Sequence, residues 1–176
     1  MPYDPQPTSE SDLAADLTTK ASSEDPIFYT LFKRNESGEF VPVGWASYMR
    51  IDPKNRVIEV GHVMFSSRLQ RSPAATEAMY LMARHAFELG YRRYEWKCHD
   101  LNKPSKVAAA RLGFTFEGTF RRHLIDKFGR NRDTSWFSII DEEWDDRRKA
   151  LEGWLDDQNF NGEGRQKKRL EEFRLD

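Results

Sequence analysis

The stretch from Val57 to Cys98 constrains the fold more than any other part of the sequence. Side chains from Val57 to Phe65 alternate in a way that is typical of a strand. Ser72 and Pro73 then form a helix start, and apolar residues recur at helical spacing after them. A second strand pattern covers residues 91–98. This order predicts two parallel strands joined by a right-handed helical crossover.

Further strand patterns lie on both sides of this unit. Residues 27–33 and 44–51 are rich in aromatic and β-branched residues and predict a hairpin that leads into the strand at Val57. Beyond a second crossover helix at residues 102–112, the runs 114–124 and 134–140 predict another hairpin. The expected class is therefore α/β (α+β): a mixed, mostly antiparallel twisted sheet with crossover helices.

The sequence predicts less regular structure near the two ends of the chain. Residues 1–8 contain several prolines and predict an extended lead-in, and residues 9–22 predict a short amphipathic helix. A terminal helix is expected after Asp141. We expect one domain over residues 1–158, followed by a charged tail or helix over residues 159–176.

Composition excludes some function classes. The chain has 28 basic and 29 acidic residues and a net charge of −1, which disfavours nucleic-acid binding because that needs a basic surplus. The one cysteine, Cys98, excludes an internal disulfide. The sequence shows no apolar run long enough to cross a bilayer and no signal peptide, so we expect no membrane partner and a cytoplasmic location.

Four short motifs carry a resemblance to a known family. They are Ala75-Thr76-Glu77-Ala78, Asn102-Lys103-Pro104-Ser105, Arg111-Leu112-Gly113-Phe114 and Glu117-Gly118. Their order and spacing across residues 44–140 resemble the GNAT superfamily of acetyl-CoA-dependent N-acetyltransferases. Within it, the chain is similar to the RimJ/RimL-like branch.

The resemblance implies a coenzyme site. The two central parallel strands are expected to splay, with the pantetheine arm in the gap on the backbone of Val63, Met64 and Phe65. The pyrophosphate is expected on the following turn and helix start. The residues implied there are Gln70, Arg71, Ser72, Ala74, Ala75 and Thr76, and Asn102 and Ser105 are implied near the thiol. Acetyl-CoA is the expected co-substrate, without a metal.

Three departures from the family pattern affect these expectations. The family usually has glycines in the turn, where this chain has Arg71 and Pro73. Many members have a tyrosine that protonates the leaving thiolate, where this chain has Ala109, so Ser105 is the remaining candidate acid. The family's opening strand and first helix, which wall the acceptor site, have no counterpart here. Either the acceptor pocket is open, a partner chain completes it as in a homodimer, or activity is weak.

The implied reaction needs a base, because an alkyl ammonium must lose a proton before it attacks a thioester. Glu59 is the first candidate, since flanking valines would desolvate its carboxyl group. The reserves, which are also candidate acceptor contacts, are His62, Glu95 and His123. Strict alternation places His62 on the opposite face from Glu59.

Each candidate also has a structural interpretation. Glu59 would then pair with an arginine on a neighbouring strand, Ser105 would bond to helix backbone, and Asn102 would be the helix N-cap. Cys98 and Trp96 are expected to pack in the core.

The sequence therefore predicts transfer of acetyl from acetyl-CoA to a primary amine, which belongs to a small molecule or to a protein N-terminus. The alternative is a catalytically weakened acetyl-CoA-binding or interaction module with the same fold.

Overall fold

A computed structural model describes residues 7–174, so most of the predicted lead-in at residues 1–8 lies outside the described residues. The helices are α1 (Glu10–Ala21), α2 (Pro73–Glu88), α3 (Lys103–Arg111) and α4 (Asp141–Leu155). The strands are β1 (Ile27–Arg34), β2 (Phe40–Asp52), β3 (Val57–Phe65), β4 (Arg93–His99), β5 (Thr115–Ile125) and β6 (Asn131–Ile140). Each of these elements lies where the sequence pattern predicts it.

The strands form one sheet in the order β1-β2-β3-β4-β6-β5. The β3–β4 pair is parallel, and the other neighbouring pairs are antiparallel. The predicted mixed, mostly antiparallel sheet is therefore confirmed. The parallel pairing begins at Val57 with Arg93 and ends at Val60 with Trp96, although both strands continue beyond that point.

One face of the sheet, called the apolar face here, packs against α2. Phe87 of α2 contacts Tyr94 of β4 and stacks on Trp144 of α4, with ring centroids 6.2 and 4.7 Å apart. The helix α4 thus joins the same core. Buried core residues from the strands include Tyr48, Ile58, Val60, Tyr94, Phe137 and Ile139.

The opposite face, called the polar face here, carries charged side chains that are buried. Glu59 and Glu95 are 5% and 7% exposed. They alternate along β3 and β4 with core residues, so one central pair of strands supplies both an apolar and a charged surface. Such burial requires each charge to have a partner.

The residues after α4 pack back onto that helix. Trp154 Nε1 donates a hydrogen bond of 3.0 Å to Gln166, and Leu170 is 1% exposed. Two short 3-10 turns, Asp157–Asn159 and Leu170–Phe173, lie in this segment. No helix within residues 7–174 is long and apolar enough to cross a membrane.

Asp100, just after β4, connects three elements. Its Oδ1 accepts hydrogen bonds from Lys106 Nζ at 2.8 Å, Ser135 Oγ at 2.7 Å and Thr119 Oγ1 at 3.2 Å. These bonds, that of Lys106 first, lower the pKa of Asp100 to about 2. The carboxylate therefore ties α3 to the β5–β6 hairpin.

Replacement of Gly44 should destabilise the β2–β3 ladder. Gly44 opposes Phe65, and a Cβ on it would stand 2.4 Å from the carbonyl oxygen of Met64. We expect Gly44→Ala to lower the free energy of unfolding by about 1–3 kcal/mol in urea titrations. Gly162→Ala is the control, because its Cβ would meet no atom within 4 Å. Equal urea midpoints for the two variants would contradict this packing.

Asp100→Asn should destabilise the protein in a pH-dependent way. The pKa of Asp100 is lower in the folded chain than in the unfolded chain, so its stabilisation is present above about pH 4 and is lost as pH falls towards 2. Urea titrations at pH 7, 4 and 2.5 should show the variant less stable at pH 7, with the difference narrowing in acid. The control is Asp157→Asn at an exposed turn. A deficit for Asp100→Asn that stays constant with pH would refute the charge-based account.

Candidate active site

The candidate active site lies where β3 and β4 part. Beyond Val60 and Trp96, residues 61–65 pair with β2 on one side, through Met64 and Phe65, and have no ladder to β4 on the other. An unpaired strand edge carries a row of backbone donors and acceptors that a ligand can use. Two carbonyls of this segment already have partners, because Phe65 O accepts from Gln70 Nε2 at 2.8 Å and Gly61 O accepts from Ser47 Oγ at 3.1 Å. The predicted pantetheine contacts Val63, Met64 and Phe65 belong to this edge.

Glu59 lies on the polar face just before the strands part. Its Oε2 lies 3.0 Å from Lys97 Nζ and 3.4 Å from Arg50 Nε. Its Oε1 lies 4.0 Å from the point that a Cβ on Gly61 would occupy, and it accepts no hydrogen bond from residues 7–174. Burial raises the pKa of Glu59, while Lys97 and then Arg50 oppose that rise. One carboxylate oxygen is thus held by cations, and the other has no hydrogen-bond partner among the described residues.

The charges on the polar face form an alternating chain. Lys97 Nζ also lies 2.6 Å from Glu95, and Arg93 Nε lies 2.7 Å from the same carboxyl group. Arg93 then donates two hydrogen bonds, of 2.7 and 2.6 Å, to Glu117 of β5. These hydrogen bonds raise the pKa of Arg93 and lower that of Glu117. Glu95 is therefore a paired carboxylate inside the chain of charges.

His62 lies on the same face as Glu59, which corrects the expectation from strict alternation. Ser47 Oγ lies 3.0 Å from His62 Nδ1, and the Phe28 ring is 5.3 Å from the imidazole. Phe28 and Ser47 are cross-strand partners, and Ser47 is paired with Gly61, so all share the polar face. The physical reason is a bulge in β3 at which His62 adopts a left-handed φ of 48°.

His123 lies further along the polar face. Its ring packs against Phe120 at 5.6 Å and Trp136 at 5.9 Å, and its Nδ1 is enclosed without a hydrogen-bond partner among the described residues. Trp136 in turn lies under Lys97, with Nζ 3.7 Å from the ring centroid. The structure therefore brings Glu59, Glu95, His62 and His123 to one face of the sheet.

Ser105 approaches the parting strands from α3. Asn102 caps this helix, since its side chain accepts from Ser105 N at 3.2 Å. The Ser105 hydroxyl accepts a hydrogen bond of 3.0 Å from Trp96 Nε1, so its main partner is an indole and not a helix carbonyl. The hydroxyl also forms a hydrogen bond with the thiol of Cys98. Cys98 is buried beside it, and burial raises the pKa of that thiol.

The turn before α2 offers fewer open amides than predicted. Gln70 N and Ser72 N donate to backbone carbonyls within the turn, and Ala75 N donates to Ser72. The N–H groups of Arg71, Ala74 and Thr76 have no acceptor in the described part of the chain. Arg71 has a φ of 57°, the left-handed conformation that glycine adopts without cost. The backbone thus keeps a glycine-like conformation although its residue is arginine.

Thr76, predicted as a pyrophosphate contact, also has a structural partner. Its Oγ1 accepts a hydrogen bond of 3.0 Å from Arg111 Nη1, and the Arg111 guanidinium lies 4.7 Å from the Trp154 ring centroid. The side chain is 4% exposed. It therefore helps to join the start of α2 to the end of α3.

Sequence reasoning allowed for an arginine partner of Glu59, which Arg50 on β2 provides, but it missed the other partners of the two central candidates. Lys97 and Arg50 hold Glu59, and Trp96, expected only to pack, holds Ser105. The available signal was the run of alternating charges in a strand predicted to lie inside the sheet, because buried charges need opposite partners. No group of three or more metal-ligating side chains occurs in residues 7–174.

Comparison with known proteins gives the family. The model of the acetyltransferase (GNAT) domain matches residues 1–115. A GCN5-related N-acetyltransferase from Brucella melitensis is 46% identical, with a TM-score of 0.90 over 97% of this chain and 76% of that chain. A probable GNAT-family acetyltransferase from Chromobacterium violaceum is 40% identical, with a TM-score of 0.73 over 82% and 71%.

More distant matches support the fold alone. Microcin C7 self immunity acetyltransferase MccE, solved with acetyl-CoA and AMP, is 23% identical with a TM-score of 0.63 over 76% of this chain and 72% of that chain. A search of curated proteins gave no match. The family model and the two closer structures confirm the predicted family. The chain belongs to the GNAT acetyltransferase family and is an acetyl-CoA-dependent N-acetyltransferase.

Proposed function

We propose that this enzyme transfers the acetyl group to a primary amine by direct attack of the neutral amine on the thioester. The observation that carries the proposal is the pairing of two groups at the point where β3 and β4 part. Glu59 is buried on one face with an open Oε1, and Ser105 is held on the other side by Trp96. A base and an acid on opposite sides of one gap suit a reaction that moves one proton from the nucleophile and one to the leaving group.

The coenzyme is proposed to follow the unpaired edge of β3. Its pantetheine amides bond to the backbone of Val63, Met64 and Phe65, and its pyrophosphate lies at the start of α2. The N–H groups of Arg71 and Ala74 support this position, since they lack an acceptor in the described part of the chain and lie at the positive end of a helix. The neighbouring positions Gln70, Ser72, Ala75 and Thr76 shape the turn, and Asn102 positions Ser105 near the thiol.

Glu59 Oε1 takes one proton from the substrate ammonium, directly or through a water, and the amine nitrogen forms a bond to the acetyl carbon. As the C–S bond breaks, Ser105 gives its proton to the thiolate and regains one from the nitrogen that becomes the amide. The products are the N-acetylated amine, CoA as a thiol, and one proton released from Glu59. His62, Glu95 and His123 are proposed to wall the acceptor side.

The proposed acceptor is a primary amine of a small molecule or of a protein N-terminus. We propose the RimJ/RimL-like branch on the Asn102 to Ser105 motif, in which Asn102 caps α3 and Ser105 bonds to Trp96. A panel of amines that includes amino acids, polyamines and peptides, assayed by thiol release, tests the amine class. Thiol release with hydroxyl acceptors but with no amine would overturn it.

One observation favours a weakened coenzyme-binding module as the second candidate. Ala109, which stands where many relatives carry the acid tyrosine, is 0% exposed, so no phenol reaches the gap from that position. Tight acetyl-CoA binding by calorimetry without thiol release for any amine would select this reading over the enzyme.

Arg71→Gly should weaken coenzyme binding. The change removes a cation from the pyrophosphate position and relieves the left-handed strain, so a loss reports the charge and not the backbone. We expect the Kd for acetyl-CoA to rise by about tenfold in calorimetry. Arg165→Gly, at a side chain that is 80% exposed beyond α4, is the matched control. Equal Kd values for the two variants would remove Arg71 from the site.

Loss of the base or the acid should slow turnover without loosening the coenzyme. We expect Glu59→Gln and Ser105→Ala each to lower kcat by about 10²–10⁴-fold at an unchanged Kd for acetyl-CoA. Steady-state kinetics and calorimetry on the same samples provide the comparison. The control Ser37→Ala lies in the β1–β2 turn, where its hydroxyl bonds to Asn35. Parallel losses in kcat and in affinity would instead indicate a binding role.

A further inference from the structure

Lys97 is the most enclosed cation on the polar face. Its side chain is 6% exposed. Its Nζ contacts Glu59 Oε2 at 3.0 Å and Glu95 Oε2 at 2.6 Å, and it lies 3.7 Å from the Trp136 ring centroid. Two carboxylates and one aromatic face therefore surround the ammonium, which leaves it little freedom to move.

The neighbouring charges show why Lys97 differs from the other cations. Arg50 reaches Glu59 with a side chain that is 49% exposed, and Arg93 is shared between Glu95 and Glu117. Lys97 contacts both buried carboxylates, Glu59 and Glu95, at once. The strength of its contact with Glu59 therefore depends on how strongly Glu95 draws the same ammonium.

We propose that Lys97 is a positioning residue for the base: it holds Oε2 of Glu59, directs Oε1 towards the gap between β3 and β4, and shares its charge with Glu95. The proposal rests on the proposed role of Glu59. A buried carboxylate without a cation would keep a proton and be unable to accept one, whereas a carboxylate with a cation of its own would be too weak a base. Sharing the ammonium places Glu59 between these limits.

Two substitutions should shift the pH dependence in opposite directions. In Lys97→Met, Glu59 loses its main cation, so the acidic limb of the kcat/KM profile should move up by about one pH unit or more. In Glu95→Gln, Glu59 is the one carboxylate that still contacts the Lys97 ammonium, so the acidic limb of the profile should move to lower pH. The other charged or titratable groups on the polar face are unchanged in both variants: Arg50 on β2, His62 on β3, Arg93 on β4, and Glu117 and His123 on β5. The KM for acetyl-CoA should stay at the wild-type value.

The matched control is Lys149→Met, which removes an exposed lysine that pairs with Asp145 on α4. Its profile should coincide with that of the wild type. If Lys97→Met does not fold, Glu95→Gln decides alone, because it replaces a carboxylate by an amide of the same shape. Acidic limbs that stay in place, or move in the same direction, in the folded variants would overturn the proposal.

A direct titration separates this inference from the role of Glu59 in catalysis. Carbon NMR of protein labelled at the glutamate carboxyl carbons, with the Glu59 signal assigned through Glu59→Gln, reports the pKa without turnover. Full activity in Glu59→Gln would remove the catalytic role, yet the NMR titration would still show whether Lys97 and Glu95 set the carboxyl pKa. A Glu59 signal that titrates identically in Lys97→Met and the wild type would contradict the positioning role.

Discussion

The end of the parallel pairing at Val60 and Trp96 is the constraint on which the rest of the site depends. A parallel ladder leaves no room for a ligand between its strands, and an early end leaves one edge of β3 with unpaired backbone groups. At the same point on β4, two consecutive side chains face opposite sides of the sheet. Trp96 faces the helices and reaches Ser105, while Lys97 faces the polar side and reaches Glu59. One strand thus orients the proposed acid and the proposed base from its two faces.

Burial of the polar face is costly, and its arrangement explains how the fold tolerates it. Isolated charges at 5% or 7% exposure would each cost several kcal/mol of desolvation free energy. Here anions and cations alternate from Glu59 through Lys97, Glu95 and Arg93 to Glu117. Each of these five side chains therefore has a neighbour of opposite charge. The carboxylate oxygen that stays open is therefore a local exception within a paired network, as expected of a functional group.

The sequence predicted the elements well because their patterns are local. Alternation from Val57 to Phe65 and the cap at Ser72 depend on near neighbours, and the structure places β3 and α2 there. The sequence predicted less well which side chains share a face of the sheet. A bulge brings His62 to the face of Glu59, and no local pattern signals that extra residue. Lys97 contacts Glu59 on another strand, and Trp96 contacts Ser105 on a helix. Such contacts between different elements become visible only in the folded structure.

A crystal structure of the complex with acetyl-CoA is the most direct measurement of the central claim. We expect the pantetheine arm on the free edge of residues 61–65 and the phosphates at the amides of Arg71 and Ala74. We also expect the thioester between Ser105 Oγ and Glu59 Oε1. A coenzyme bound elsewhere, for example in the apolar groove of about 350 Å³ between β1 and α2, would contradict the claim. So would a thioester that lies out of reach of both side chains.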